Sequence, residues 1–229
     1  MAEQTKPDGQ TAVERFYDRW ANLYDVVAMA PGVGAWRERA VETLDLSGGE
    51  TVVDVGCGTG ANFTYLRDAV GPEGRVVGID LSAGMVRRAQ YWIDRRGWEN
   101  VHAVRGDATQ LPVEDVDAVI STFVVGMFAD PEPVVREWIR AVDAGGRVAI
   151  LNAERTDRLA LTPANLGFRA FVRLTAPGNR LRLRSPTHQL EQRWRDACDG
   201  LFGGTTEHVE ERLGHGFVVL ASGRVPADR

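Results

Sequence analysis

Lysine and cysteine are scarce in this chain of 229 residues, and an excess of positive charge is absent. The one lysine is Lys6, so the other basic side chains are arginines, apart from four histidines. The two cysteines, Cys57 and Cys198, have neither the pattern of a disulfide framework nor the spacing of a zinc site, and we predict no metal. Because the formal net charge is −5, we also predict no nucleic-acid partner.

Long apolar runs are also missing. No uninterrupted apolar stretch approaches the length of a membrane-spanning helix. The first ten residues, MAEQTKPDGQ, lack the apolar segment of a secretion signal. With 44% hydrophobic and 26% charged residues, the composition is ordinary for a globular domain. These features predict a soluble, cytoplasmic protein.

Short apolar runs alternate with helical periodicity from residue 51 onward. Predicted strands cover 51–55, 75–79, 101–104, 116–122 and 147–152, and predicted helices cover 61–70, 83–96 and 131–142. This alternation implies right-handed βαβ crossovers and a mainly parallel, doubly wound sheet. The last segments, TTEHVEERLG and HGFVVLASGRV, predict a terminal antiparallel hairpin.

Three glycines follow the first predicted strand on alternate positions, in VVDVGCGTG. Gly56, Gly58 and Gly60 would let backbone amides approach a ligand at the carboxyl end of the sheet. Asp80 ends the second strand, where a carboxylate can accept both ribose hydroxyls of a nucleotide. A tight turn and a helix cap are the alternatives, although Ser82 already suits the cap. The stretch from Gly56 to Ala61 also satisfies G-x-G-x-x-A, the fingerprint of dinucleotide-binding proteins. A nicotinamide dinucleotide is therefore one of two cofactors that fit this motif.

The glycine stretch resembles motif I of class I S-adenosylmethionine-dependent methyltransferases, in which D-x-G-x-G-x-G is typical. Asp54 stands two residues before Gly56, where a carboxylate can face the ammonium and sulfonium end of S-adenosylmethionine. The same carboxylate would repel the pyrophosphate of a nicotinamide dinucleotide. Asp107, in RGDATQLP after the third strand, matches the acidic residue that binds the adenine amino group in this family.

The resemblance extends from about residue 12 to 222. FYDRWANLYD looks like the lid helix of the ubiquinone/menaquinone-type and phospholipid-type methyltransferases, with Tyr17, Trp20 and Tyr24 as lid residues. It implies one methyltransferase domain over 1–229, with a helical lid (1–46), a cofactor-binding core (47–152), and a helical insertion with a terminal hairpin (153–229). The implied fold is a Rossmann-like, seven-stranded α/β sheet that ends in the antiparallel hairpin.

Residue-by-residue transfer of the family pattern implies a set of contacts to S-adenosylmethionine along the strand ends. Asp54 and the three glycines would surround the methionine half, Asp80 would hold the ribose, and Ser121 with Thr122 would lie beneath the sulfur. The complete implied cofactor set is Tyr24, Asp54, Gly56, Gly58, Gly60, Asp80, Leu81, Met85, Asp107, Ala108 and Ser121. Leu81, Met85, Asp107 and Ala108 would meet the adenine.

The acceptor side is less defined, and no catalytic base is identified. The segment TFVVGMF stands where some quinone-type relatives carry histidines, and its Phe123, Met127 and Phe128 predict an apolar wall. Asn152 and Glu154 follow the fifth strand and are polar candidates for contact with the acceptor. Cys57 is interpreted as a small turn residue, because no histidine is placed to activate it.

The sequence therefore predicts methyl transfer from S-adenosylmethionine to a small apolar or lipid-like acceptor by in-line displacement. The alternatives are a nicotinamide-dependent oxidoreductase and a non-catalytic cofactor-binding protein on the same scaffold. Arg180, Arg182 and Arg184 alternate with leucines in a predicted loop, downstream of Arg169 and Arg173. This basic cluster is interpreted either as a solvated face or as a peripheral contact with an anionic membrane.

Overall fold

The computed structural model describes residues 32–154 and 186–227, which contain five α-helices and one seven-stranded sheet. The helices are α1 (Val33–Glu42), α2 (Phe63–Val70), α3 (Ala83–Arg96), α4 (Pro131–Ala141) and α5 (Pro186–Phe202). The strands are β1 (Thr51–Val55), β2 (Arg75–Asp80), β3 (Val101–Arg105), β4 (Val116–Thr122), β5 (Val142–Ala153), β6 (Thr206–Leu213) and β7 (Val218–Arg224). Short 3-10 turns cover Val125–Met127 and Gly214–Gly216.

The strand order is β3-β2-β1-β4-β5-β7-β6. Strands β1 to β5 pair in parallel, and β7 lies antiparallel to both β5 and β6. The predicted Rossmann-like, mainly parallel sheet with a C-terminal antiparallel hairpin is therefore confirmed. The chain order reverses between β1 and β4, and ligands of doubly wound sheets bind outside the strand ends at such a point.

Both faces of the sheet are covered, which explains why its central strands are almost continuously apolar. One core contains the fully buried Trp138 of α4, together with residues of α5 and the side chains of Val53 and Val55. The other core lies beneath α1, α2 and α3 and includes Phe63 and Leu66. Residues that alternate along β1 therefore point into different layers, and this alternation determines which polar side chains can meet.

Most predicted boundaries agree with the structure to within two residues. Helix α3 begins as expected, because the Ser82 hydroxyl accepts a hydrogen bond of 3.2 Å from the Met85 N–H. The predicted start of the fifth strand at residue 147 is wrong, because β5 already begins at Val142. Its register with β4 shifts between the pairs Val116–Val142 and Ala118–Arg147, and the irregular stretch of β5 contains Gly145 and Gly146.

Several predictions fall outside the described residues. These are the N-terminal lid helix with Tyr17, Trp20 and Tyr24, and the arginine-rich loop at 180–184 with Arg169 and Arg173. They remain predictions. Within 32–154 and 186–227, no helix is both long enough and apolar enough to cross a membrane.

Candidate active site

The glycine turn adopts a backbone that side chains would obstruct. Gly56, Gly58 and Gly60 have φ values of 71°, 56° and 87°, in the left-handed region that favours glycine. A Cβ at Gly56 would overlap the Val124 side chain, and one at Gly60 would lie 2.6 Å from Phe63 Cδ2. Neighbouring side chains therefore pack closely against the turn, and the fold itself requires its glycines.

The Asp80 side chain connects this turn to the start of α3 through two hydrogen bonds. Its Oδ2 accepts a hydrogen bond of 2.9 Å from the Gly58 N–H, and its Oδ1 accepts one of 2.9 Å from the Ser82 N–H. Both oxygens of Asp80 therefore already accept hydrogen bonds from the protein backbone. The ribose assignment remains a prediction, and the structure gives Asp80 a structural role beside it.

Asp54 belongs to a buried polar cluster that joins three elements of the fold. Its side chain is 0% exposed, and its Oδ1 accepts a 2.9 Å hydrogen bond from Asn62 Nδ2. The same Nδ2 donates to Thr122 Oγ1 at 3.1 Å. Arg37 Nη1 of α1 donates to Asn62 Oδ1 at 2.8 Å and to Thr122 Oγ1 at 2.6 Å.

The second oxygen of Asp54, Oδ2, is buried and has no hydrogen-bond partner among the described residues. Burial raises the pKa of Asp54 to about 7, while Asn62 and the charge of Arg37 act in the opposite direction and Asp80 adds to the rise. A buried carboxylate oxygen without a donor is costly, and a ligand ammonium group would relieve that cost. The methionine end of S-adenosylmethionine carries such a group, so the residues present fit this cofactor.

The predicted adenine contacts lie on neighbouring segments after β2 and β3. Leu81 is 46% exposed, whereas Met85 is buried. Asp107 is exposed, and its Oδ1 accepts hydrogen bonds of 2.8 Å from the amide and hydroxyl of Thr109. The Ala108 carbonyl accepts a 2.7 Å bond from Trp138 Nε1, which anchors the loop to the core. The contacts of these four residues with the adenine remain predictions.

Ser121 and Thr122 lie on opposite faces of the sheet. The buried Ser121 hydroxyl donates to the Val55 carbonyl at 2.9 Å, which ties the end of β4 to the end of β1. Thr122 points into the layer that contains Asp54 and Asn62. The two side chains therefore do not form one floor, and only Thr122 joins the polar cluster around Asp54.

The acceptor side differs from the predicted apolar wall. Phe123 has a φ of 64° and packs against the buried core, with Arg37 5.1 Å from its ring centre. The ring of Phe128 packs edge-to-face on that of Trp138, with 5.9 Å between the two ring centroids. Met127, at 47% exposure, is the one member of this trio with a largely accessible side chain. The apolar surface at this edge is therefore smaller than the sequence predicts.

Asn152 and Glu154 have different surroundings. Asn152 is only 6% exposed, lies against Gly126 and makes no side-chain hydrogen bond within the described part of the chain. Glu154 is already paired, since its Oε2 accepts a 2.7 Å bond from Arg212 Nη1. Of the two polar candidates, Asn152 therefore retains unused donors and an unused acceptor near the end of β5.

No nucleophile or metal centre emerges from the described residues. Cys57 is buried, and burial together with the nearby charges of Asp54 and Asp80 raises the pKa of its thiol. A neutral thiol is a poor nucleophile, in agreement with a turn role. No group of three or more His, Cys, Asp or Glu side chains in 32–154 and 186–227 is placed to hold a metal ion.

Arg37 and Asn62 were missed by the sequence reasoning. Asn62 follows the glycine turn by two residues, and its proximity to Asp54 could have been suspected from the tight strand-to-helix connection. Arg37 offers no such signal, because it precedes β1 on a separate helix and reaches Thr122 across 85 residues of sequence.

Comparison with known proteins agrees with this geometry. A methyltransferase-domain family matches residues 53–150, which span the sheet from β1 to β5. The demethylmenaquinone methyltransferase of Anoxybacillus flavithermus is 30% identical over 170 residues, covering 72% of this chain and 68% of the relative. The corresponding enzyme of Bacillus cytotoxicus is 31% identical over 168 residues, covering 70% of this chain and 68% of the relative.

The chain therefore belongs to the class I S-adenosylmethionine-dependent methyltransferases. A SAM-dependent methyltransferase from Aquifex aeolicus has the same fold, with a TM-score of 0.61 and 18% identity over 90% of this chain and 98% of its own. The protein is an S-adenosylmethionine-dependent methyltransferase, and the nicotinamide alternative is set aside.

Proposed function

We propose that this chain methylates a small, largely apolar or lipid-like acceptor that carries an oxygen function near the methylated atom. The names of the relatives support the acceptor class, since two of them are demethylmenaquinone methyltransferases. The observation that carries the proposal is the pair formed by the exposed Met127 and by the Asn152 side chain, which makes no hydrogen bond within the described part of the chain, near the ends of β4 and β5.

We further propose how the cofactor lies on the strand ends. Asp54 and the glycine turn face the methionine half, Asp80 faces the ribose, and Leu81 with Asp107 borders the adenine. When bound, S-adenosylmethionine supplies an electrophilic methyl group on a sulfonium. Asp54 then orients its amino acid end, and the closely packed turn limits the access of water. Alignment of this kind contributes on the order of 7–11 kcal/mol to group transfer.

The single-domain organisation with a lid at 1–46 remains part of this proposal. Helix α1 lies within that predicted lid region and packs on α2 and on the sheet, which supports a contribution of this region to the site. The predicted lid contacts of Tyr24 depend on residues outside the described ranges.

Turnover on defined acceptors tests the acceptor class. The enzyme would be incubated with S-adenosylmethionine carrying a labelled methyl group and with one of three acceptors. These are a reduced quinol with an isoprenoid tail, the same quinol ring without a tail, and a water-soluble amino alcohol phosphate. Label is expected in the quinols and not in the phosphate. Methylation of the phosphate alone, or cofactor binding without methylation of either quinol, would disprove the acceptor class.

Replacement of Asn152 tests the polar contact. Asn152→Leu should lower kcat/KM for the accepted quinol by about 10- to 100-fold, because one buried hydrogen-bonding group is lost. The affinity for S-adenosylhomocysteine, measured by calorimetry, should stay unchanged. Glu154→Gln is the matched control, since this side chain already pairs with Arg212 and should affect turnover little. Equal effects of the two variants would remove Asn152 from the acceptor site.

A further inference from the structure

Arg37 lies on α1, outside the motifs that assign cofactor contacts, yet its side chain ends in the Asp54 cluster. It is 4% exposed, which is unusual for arginine, and the Asn62 and Thr122 side chains accept hydrogen bonds from it. A buried guanidinium is costly unless hydrogen bonds and a nearby carboxylate compensate its charge. Both are present here, as the hydrogen bonds to Asn62 and Thr122 and the charge of Asp54.

The guanidinium determines which way the Asn62 amide faces. Arginine has donors and no acceptor, so the atom of Asn62 that meets it must be the carbonyl oxygen. The amide NH₂ of Asn62 consequently points towards Asp54 and Thr122, as observed. With the amide reversed, Asn62 would present an NH₂ to a cation and an oxygen to a carboxylate, and both contacts would be repulsive.

We propose that Arg37 is a positioning residue for the methyl donor: it orients the Asn62 amide towards Asp54 and supplies the positive charge that balances this carboxylate. Asp54 is thereby held with one oxygen bonded to Asn62 and with Oδ2 directed to the ammonium group of the cofactor. The inference rests on the proposed placement of the methionine half at Asp54.

The charges around Asp54 give the proposal a pH signature. The groups that face it are Arg37 from α1, Asp80 from the end of β2, and the Cys57 thiol in the turn, together with neutral Asn62 and Thr122. Arg37 lowers the pKa of Asp54, whereas burial and Asp80 raise it. Without Arg37, the carboxylate should ionise at higher pH, and binding of an ammonium ligand should require that higher pH.

Binding of two ligands distinguishes a positioning role of Arg37 from a general contribution of Arg37 to folding. S-adenosylhomocysteine carries the amino acid end, and 5′-methylthioadenosine shares the adenosine but lacks that end. At pH 7, Arg37→Met should weaken S-adenosylhomocysteine by about 10- to 100-fold and change 5′-methylthioadenosine less than twofold. Raising the pH to 8.5 should restore part of the lost affinity, and Arg37→Lys should show a smaller loss because the charge is kept.

Arg39→Met is the matched control on the same helix. Arg39 pairs with Glu211 and Glu42 rather than with the Asp54 cluster, so both ligands should bind this variant as they bind the unmodified enzyme. Equal weakening of both ligands by Arg37→Met, or of neither, would overturn the inference. If Arg37→Met fails to fold in thermal melts, the same comparison on Arg37→Lys decides.

The proposed placement of the cofactor can fail separately. If Asp54→Asn leaves the affinity ratio of the two ligands unchanged, the methionine half does not lie at Asp54. If Asp54→Asn changes that ratio and Arg37→Met does not, the placement holds and only the role of Arg37 is wrong.

Discussion

Asp54→Asn is expected to make the ligand-free protein more stable above pH 7 while it weakens cofactor binding. The folded-state pKa of Asp54 is raised to about 7 from an ordinary value of 3.8. Between these pH values the folded state retains a proton that the unfolded state has released. Stability therefore falls as the pH rises from about 4 to 7, and it levels off above 7.

The size of this effect follows from the same shift. The shift in the pKa of Asp54 corresponds to about 4 kcal/mol of unfolding free energy above pH 7. In the variant, the unpaired N–H of the new amide offsets about 1–3 kcal/mol of the stability gained by removing the charge. We expect the variant to be more stable than the unmodified protein by about 1–3 kcal/mol at pH 8 and not at pH 4. Urea unfolding at both pH values measures this difference.

Binding should change in the opposite direction. The neutral amide cannot pair with an ammonium group, so the affinity for S-adenosylhomocysteine at pH 8 should fall by about 10- to 100-fold. Glu42→Gln, on the exposed side of α1, is a control that removes a carboxylate away from the site. Parallel stability curves for Asp54→Asn and the unmodified protein from pH 4 to 8 would show that Asp54 does not carry the burial cost.

Gly56→Ala is expected to cost about 2–5 kcal/mol of unfolding free energy and to abolish measurable cofactor binding. Alanine at a φ of 71° costs about 1–2 kcal/mol, and the overlap of its Cβ with Val124 adds about 1–3 kcal/mol. Relief of that overlap requires the turn to move away from Val124, which displaces the backbone that would meet the ligand. Denaturant unfolding and calorimetry with S-adenosylhomocysteine measure the two effects.

Gly97→Ala is a matched control for the cost of placing alanine in the left-handed backbone region. Gly97 has a similar φ of 63° at the end of α3, and a Cβ there would meet nothing within 4 Å. Its replacement should cost about 1–2 kcal/mol and leave cofactor affinity intact. If Gly56→Ala and Gly97→Ala prove equally destabilising and both bind normally, packing against Val124 does not hold the turn in place.

The sheet could be predicted from the sequence because its strands are short, apolar and separated by glycine or proline signals. β1 and β4 were predicted at their observed bounds, since both are almost entirely buried and each directly follows an acidic residue. The start of β5 was not, because the pair Gly145 and Gly146 normally indicates a turn. The pairing with β4 shows instead that the strand continues through this stretch with an irregular register.

The candidate site was predictable where a motif concentrates residues in one short stretch, as in the turn from Asp54 to Gly60. Long-range contacts carry no local pattern. Arg37 reaches Thr122 because α1 packs against β4 and β5, and the periodicity of α1 does not distinguish this arginine from a solvated one. The apolar wall was overestimated for a related reason, since no local pattern in the sequence shows that Phe123 and Phe128 pack against the two cores.

The attachment of Asp80 to Gly58 and Ser82 has a consequence for the catalytic cycle. Since this carboxylate orders both loops within the protein itself, their conformational entropy is lost during folding and not on each encounter with a nucleotide. After methyl transfer, S-adenosylhomocysteine can leave and S-adenosylmethionine can enter without these two loops having to fold again. Exchange at this edge of the sheet should consequently proceed by docking onto a preformed surface.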